Sequence, residues 1–219
     1  MSDSPLALSF EIALVATLLA AVSGIAFARF LSWRFPGRNL VDALLTAPLV
    51  LPPTVLGYYV LVALGRRSPI GQAFEALTGS SIVFTRTGAV VAATLGAFPI
   101  IVKSARASLE EVDPVFLHAA STLGATPTRA FFTVQLPLAA RGIVAASMLA
   151  FARALGDFGV TLMVAGDIPR ETQTASLAIY DAIQAHRDGD ALQMVLVLSF
   201  IAITLLYAVN RLTTKRDAH

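Results

Sequence analysis

Long apolar runs separated by short charged stretches dominate the chain. About 20 apolar residues in a helix cover the roughly 30 Å hydrocarbon core of a bilayer. Five segments approach or exceed that length: 10–31, 40–65, 88–106, 142–165 and 192–210. The second is interrupted by Pro48, Pro52 and Pro53. The third holds Gly96 and Pro99, and its uninterrupted apolar part ends at Val102. The fourth is interrupted by Arg153 and Asp157, and the fifth is the most continuous. Within 68–87, Ile70, Phe74, Leu77 and Ile82 fall at helical spacing, so a sixth, half-inserted segment is the alternative count. No internal repeat or low-complexity tract divides the chain, which predicts one all-α integral membrane domain over residues 1–219.

The connection 107–137, between the third and fourth spans, carries its own helix punctuation. Asp113 followed by Pro114 is an N-cap with proline at the first helical position. Val115, Phe116, Ala119, Ala120 and Leu123 then recur at helical spacing, and Gly124 is placed to end the helix in a left-handed conformation. Thr126 and Pro127 repeat the cap signal, predicting a second short helix that runs to about Gln135 and stops before Pro137. Two helices thus meet at a glycine corner. The small residues Ala119, Ala120, Ser121 and Gly124 let a partner's backbone approach, while Phe131, Phe132, Val134 and Leu136 hold the second helix on the membrane domain. On spacing alone, a docking knob and an amphipathic loop lying on the bilayer are equally supported.

Composition settles the solvent. Apolar residues make up 56% of the chain and charged residues 14%, against about 25% charged in soluble domains, and the mean hydropathy is +0.74. The chain lacks the charge to coat a soluble surface. Without cysteine it has no disulfides or thiolate metal sites, and no metal site is expected. Residues 1–5 lack a positive n-region and Asp3 and Glu11 are acidic, so the first apolar run is expected to stay in the membrane rather than be cleaved as a signal peptide. Five spans put the termini on opposite sides. One set of connections and span ends carries Arg29, Arg34, Arg38, Lys103, Arg106, Arg129, Arg141, Arg211, Lys215 and Arg216; the other carries Arg66, Arg67, Arg86, Arg170 and Arg187. Ten against five predicts the N-terminus outside and the 107–137 loop in the cytosol, with Arg66 and Arg67 an awkward pair on the outer side. The net charge of +2 is that bias, and no nucleic-acid partner is expected.

The loop resembles that of importer-type ABC permeases, whose pattern is Glu-Ala-Ala, three residues, Gly, nine residues, then Ile-x-Leu-Pro. Here His118, Ala119 and Ala120 are followed at the same spacing by Gly124, then by Val134, Gln135, Leu136 and Pro137. His118 stands where the family has an acid thought to pair with a basic residue of the ATPase, so that contact must differ. Residues 49–71 and 151–174 resemble the molybdate permeases. Sulfate and thiosulfate permeases share the Ala154 to Gly159 stretch and remain the alternative, but Pro52 to Tyr59 followed by Gly65, Arg66 and Arg67 favours molybdate. The resemblance implies a permease subunit of an ATP-driven importer in the cytoplasmic (inner) membrane of a bacterium or archaeon, moving molybdate, with tungstate as a second oxyanion. An external molybdate-binding protein would dock on the outer loops 66–87 and 166–190 and set most of the selectivity. The chain has no Walker A pattern, so ATP and Mg belong to a partner ATPase. Five spans are few for a complete path, which predicts a homodimer with two ATP-binding cassette subunits.

Within the spans, Pro48, Pro52 and Pro53 free backbone groups that cannot face lipid. A structural kink and a border of the translocation path, with Thr54 and Gly57 on the next turn, are equally supported. Arg153 and Asp157 share a helix face and can pair; Asp157 would repel a dianion, so structure or gating is favoured over substrate binding. Gly156, Asp157, Phe158 and Gly159 form a candidate constriction. His118, His186 and His219 lie outside the spans, and no catalytic dyad or triad is visible within them, which argues against an intramembrane enzyme. A gradient-driven secondary transporter is the alternative of a different class, disfavoured by the missing repeat.

Overall fold

The computed structural model describes residues 4–33 and 35–214. Asp3, Arg34, Lys215, Arg216 and His219, named above, lie outside the described residues. All regular structure among the described residues is helical. In chain order the helices are α1 (Pro5–Leu31), α2 (Arg38–Val50), α3 (Pro53–Leu64), α4 (Pro69–Thr78), α5 (Arg86–Glu110), α6 (Pro114–Thr122), α7 (Pro127–Ala130), a π-helical turn (Phe131–Gln135), α8 (Leu136–Leu155), α9 (Gly159–Ala165), α10 (Ala175–Gln184) and α11 (Asp188–Thr214).

The core is a sandwich of α5 between α1 and α8. Small residues make it close-packed. Ala13, Ala16, Ala20 and Ala28 on α1 and Ala89, Ala97 and Ala105 on α5 are fully buried, and a Cβ on Gly24 would stand 2.9 Å from Ile101 Cγ2. On the other side Gly142 of α8 abuts the Ser108 hydroxyl. Lipid tails are as apolar as leucine, so such close backbone approach, not burial from water, holds spans together. By contrast, only 6% of the apolar window of α11 is buried; it lies against α8 and α10 with most of its surface outward.

Proline decides the second span. Leu51 and Pro52 each precede a proline, which disfavours helical conformation there, and both are extended, with ψ of 138° and 137°, whereas the single Pro48 is accommodated inside α2. The chain therefore bends by 116° between α2 and α3. At about 20 and 18 Å, neither half crosses alone. Together they lie along α5, as the two halves of one broken span would. Arg38 pairs with Glu110 and Asp42 with Lys103 and Arg106 at one end of α5. The break lies beside Gly96 at its middle, and Leu56 and Val60 pack with Val83 and Ala92 toward its other end. Four helices are long and apolar enough to span unaided, and the broken pair makes five.

Three sequence expectations need correction. The third span is longer than 88–106 because α5 continues through Pro99 to Glu110. The face considered within 68–87 forms only in part: α4 carries Ile70, Phe74 and Leu77 at helical spacing but ends at Thr78, and Ile82 lies beyond it. No sixth crossing occurs among the described residues. The fourth span is 127–155, not 142–165. Pro137 fails to stop the preceding helix because the turn before it widens: Leu136 N–H reaches back five residues to Phe131 O, and the Thr133 hydroxyl donates to Arg129 O at 2.7 Å. This shift of register absorbs the missing proline N–H, and the 29 residues from Pro127 to Leu155 run as one helix. At its far end the chain breaks at Gly156–Phe158, and 159–165 is a separate helix packed on α3 and α5.

Candidate translocation path and docking loop

Asp157 is the most deeply buried charge in the spans, at 3% exposure. Its Oδ1 accepts from Arg153 NH1 at 3.1 Å, and its Oδ2 accepts from Thr161 N at 3.0 Å and Thr161 Oγ1 at 2.7 Å. Both oxygens are thus spent within the chain. The carboxylate satisfies first-turn donors of α9 and favours the positive end of that helix. Arg153, on the last turn of α8, ties the same carboxylate to the preceding span. Its guanidinium extends over Gly96, where a Cβ would stand 3.6 Å away, and its side chain is 39% exposed. The opening it faces is a cavity of about 140 Å³ at the α2–α3 break, lined by Pro48, Leu51, Pro53, Gly96 and Arg153 among others. That is room for about four waters.

The candidate residues of the break and the constriction meet unevenly. A Cβ on Gly159 would stand 2.6 Å from Pro53 Cβ, and one on Gly57 would stand 2.7 Å from Met163 Cβ. Pro53, Gly57 and Gly159 therefore form the close contact of α3 with α9. Pro52 and Thr54 are exposed. Gly156 caps α8 outside the cavity lining. Phe158 packs on Tyr180 of α10 at 5.3 Å between ring centroids and does not line that cavity. Replacing Gly57 with alanine is expected to overpack this contact at a cost of about 1–3 kcal/mol, read as a lower melting temperature in detergent. Gly189→Ala, in open space on α11, should cause no loss. Equal melting temperatures for the two variants would show that α9 yields freely.

At the other end of α8, the 107–137 loop forms the two-helix corner. Asp113 accepts from Val115 N, and Thr126 from Arg129 N. Gly124 has φ of +83°, with Ala125 N donating to Ala120 O and Gly124 N to Ser121 O, both at 3.0 Å. These paired bonds are a Schellman closure, which needs the left-handed residue. No residue of α6 is buried. His118, Ala119 and Gly124 are exposed and Ala120 is half-buried. Nothing stands within 4 Å of a Cβ on Gly124. The corner projects, while the π-turn anchors it: Phe131 is buried against the Arg29 guanidinium, 5.2 Å from its ring centroid, and the buried Gln135 donates to Leu109 O at 3.1 Å. Val134 and Leu136 are half-buried and Pro137 is exposed. Phe132, expected to hold the helix down, is 60% exposed instead.

Sequence reasoning missed Thr161, Gln135, Arg29 and Met163. Thr161 had a signal, a hydroxyl four residues after an aspartate at a helix start. The others are long-range partners with no local mark.

The model of the family described as binding-protein-dependent transport system inner membrane component matches residues 14–216. The chain is 42% identical over 202 residues to the molybdenum transport system permease protein ModB of Escherichia coli, covering 91% of this chain and 88% of that protein. It is 38% identical over 208 residues to the protein of the same name from Azotobacter vinelandii, covering 93% and 92%. It is 31% identical over 212 residues to the sulfate transport system permease protein CysT of Salmonella typhimurium, covering 94% and 76%. Among solved structures, the fold resembles a chain of the inward-facing MetNI methionine ABC transporter, with a TM-score of 0.70 at 18% identity over 93% of this chain and 90% of that one.

Proposed function

The chain belongs to the family of binding-protein-dependent transport system inner membrane components, the permease subunits of ABC transporters, and from that premise we propose that it carries molybdate into the cell, with tungstate as a second oxyanion. One observation carries the substrate reading. Relatives named as molybdenum permeases are 36–42% identical over more than nine-tenths of the chain, whereas those named as sulfate permeases are 30–33% identical.

In this reading the N-terminus is outside, residues 1–219 act as one domain, and two copies enclose the path in the bacterial cytoplasmic membrane. The projecting corner, with His118, Ala119 and Gly124 at its surface and Ala120 half-buried beside them, seats in a groove of an ATP-binding subunit that holds ATP and Mg. Val134, Leu136 and Pro137 join it to α8. Closure of the two ATPases moves the corner, and the unbroken helix 127–155, about 43 Å long, carries that movement to Arg153. There it acts on the cavity at the α2–α3 break and on the α3–α9 contact, bordered by Pro52, Pro53, Thr54, Gly57 and the Gly156 to Gly159 turn. Arg153 presents a cation to the cavity, while Asp157 has its charge occupied by internal donors. One shared guanidinium holds a dianion weakly, as passage requires. An external binding protein delivers the oxyanion.

The test is uptake into proteoliposomes holding the permease with its ATPase, supplied with the loaded binding protein. ATP-dependent accumulation of molybdate, not reduced by equimolar sulfate, is expected. Equal competition by sulfate would transfer the assignment to sulfate, and uptake driven by an ion gradient without ATP would replace it with a secondary transporter.

A further inference from the structure

Arg66 and Arg67 stand out twice. They oppose the charge bias that orients the chain, and they follow directly on α3, the half-span that leads from the Pro52 break. They line a cavity of about 940 Å³ between the α3–α4 turn and residues 79–85. No aspartate or glutamate lines it among the described residues. Arg66 has one acidic neighbour, Glu75, at 3.8 Å, with side chains 69% and 41% exposed; such a pair is worth little. The Arg67 side chain makes no ion pair or hydrogen bond with the described residues. A cation after a helix C-terminus is favoured by the dipole, which accounts for one of these side chains but not for an acid-free cavity beside both.

The cavity wall adds further positive character. Ser68 and Thr85, the N-caps of α4 and α5, both line it; each hydroxyl accepts from its own helix, at Gly71 N and Gly88 N, so these ends contribute only their helix dipoles. Ser81 lines it too; it is 8% exposed, and its buried Oγ has no hydrogen-bond partner among the described residues. Phe84, with φ of +59°, is the strained corner that brings this segment round, its N–H fixed to Val164 O at 2.9 Å.

We propose that this cavity is a receiving site for a tetrahedral divalent oxyanion at the outer mouth of the path, with Arg66 and Arg67 as its charges. The proposal rests on the transport reading above. The site is wide and its arginines are exposed, so it raises the local concentration of a dianion rather than holding it tightly. It also recognises charge and not element, so molybdate and sulfate are equivalent there. From it the ion passes along α3 to the cavity under Arg153.

Two measurements on the assembled transporter test this. The first, without binding protein, is phenylglyoxal modification of Arg66 and Arg67 followed by mass spectrometry. Millimolar molybdate should slow it, and chloride at matched ionic strength should not; equal rates in the two salts overturn the proposal. The second is initial uptake at limiting loaded binding protein. Arg66→Gln with Arg67→Gln should reduce it about tenfold at low ionic strength, Arg66→Lys with Arg67→Lys should largely restore it, and the deficit should narrow as salt screens the charges. Unchanged uptake in the glutamine variant overturns the site. So does loss of cosedimentation with the loaded binding protein, which would make these arginines a docking surface. Failure of the unmodified transporter to take up molybdate would count against the transport reading, leaving the protection experiment to judge the site.

Discussion

Asp157→Ala is expected to abolish uptake by preventing stable folding. The substitution removes the Arg153 partner and strands two donors of Thr161 in one step. Breaking a buried pair from one side costs about 3–5 kcal/mol, a large part of a typical stability of about 5–15 kcal/mol. The lower figure applies here, because Arg153 can draw water from the cavity at the α2–α3 break. Asp157→Asn keeps an acceptor for Thr161 and should recover folded yield in detergent. The same yield is expected when Arg153→Gln is added, since no charge is then stranded. Transport in that double variant separates the roles. Full uptake makes the pair purely structural, whereas folded protein with uptake lost makes Arg153 a station on the path. An Asp157→Ala protein with unchanged melting temperature and uptake would remove the keystone role altogether.

Gly124→Val is expected to uncouple ATP hydrolysis from uptake. Its φ of +83° lies where an L-residue costs about 1–2 kcal/mol, a local strain at the end of an exposed helix. The chain itself has open space for the side chain, so the damage falls on whatever seats against the corner. A loss of about 1.4 kcal/mol in that seating is a tenfold loss of occupancy, and uptake per ATP hydrolysed should fall by about that factor. Gly124→Asn separates strain from bulk, since asparagine tolerates the left-handed conformation; a defect shared by both variants is due to bulk. His118→Ala should matter less, because His118 cannot reproduce the family's acidic contact. Intact transport in Gly124→Val would end the docking role of the loop.

Much of this was legible from local chemistry. Asp113-Pro114, Gly124 and Thr126-Pro127 each dictate a backbone geometry by themselves, and each caps or closes where expected. The consecutive prolines likewise force the break in the second span. The errors arose where local signals compete with partners distant in sequence. Pro137 reads as a stop, but a turn held by Phe131 on Arg29 and Gln135 on Leu109 widens to accommodate it. Residues 142–165 read as one apolar run because composition cannot tell a helix that continues from one that restarts. There the restart is set locally, by Asp157 accepting from Thr161 N and Oγ1 four residues ahead. In the candidate path, the residue types of Arg153 and Asp157 were visible, but their inequality was not: one faces a cavity and the other is fully occupied.

The seam between α1 and α5 bears on how this protein tolerates change. Its fully buried positions, Ala13, Ala16, Ala20 and Ala28 on α1 with Ala89, Ala97 and Ala105 on α5, are already alanine, so an alanine scan passes silently over the most extensive helix pairing of the described residues. Single-base changes in alanine codons yield only glycine, serine, threonine, valine, proline, aspartate or glutamate. Most of these add bulk or charge where two backbones leave no room. The plainest residues in the chain are therefore expected to be among its least replaceable, although the stripe they form carries no chemistry at all.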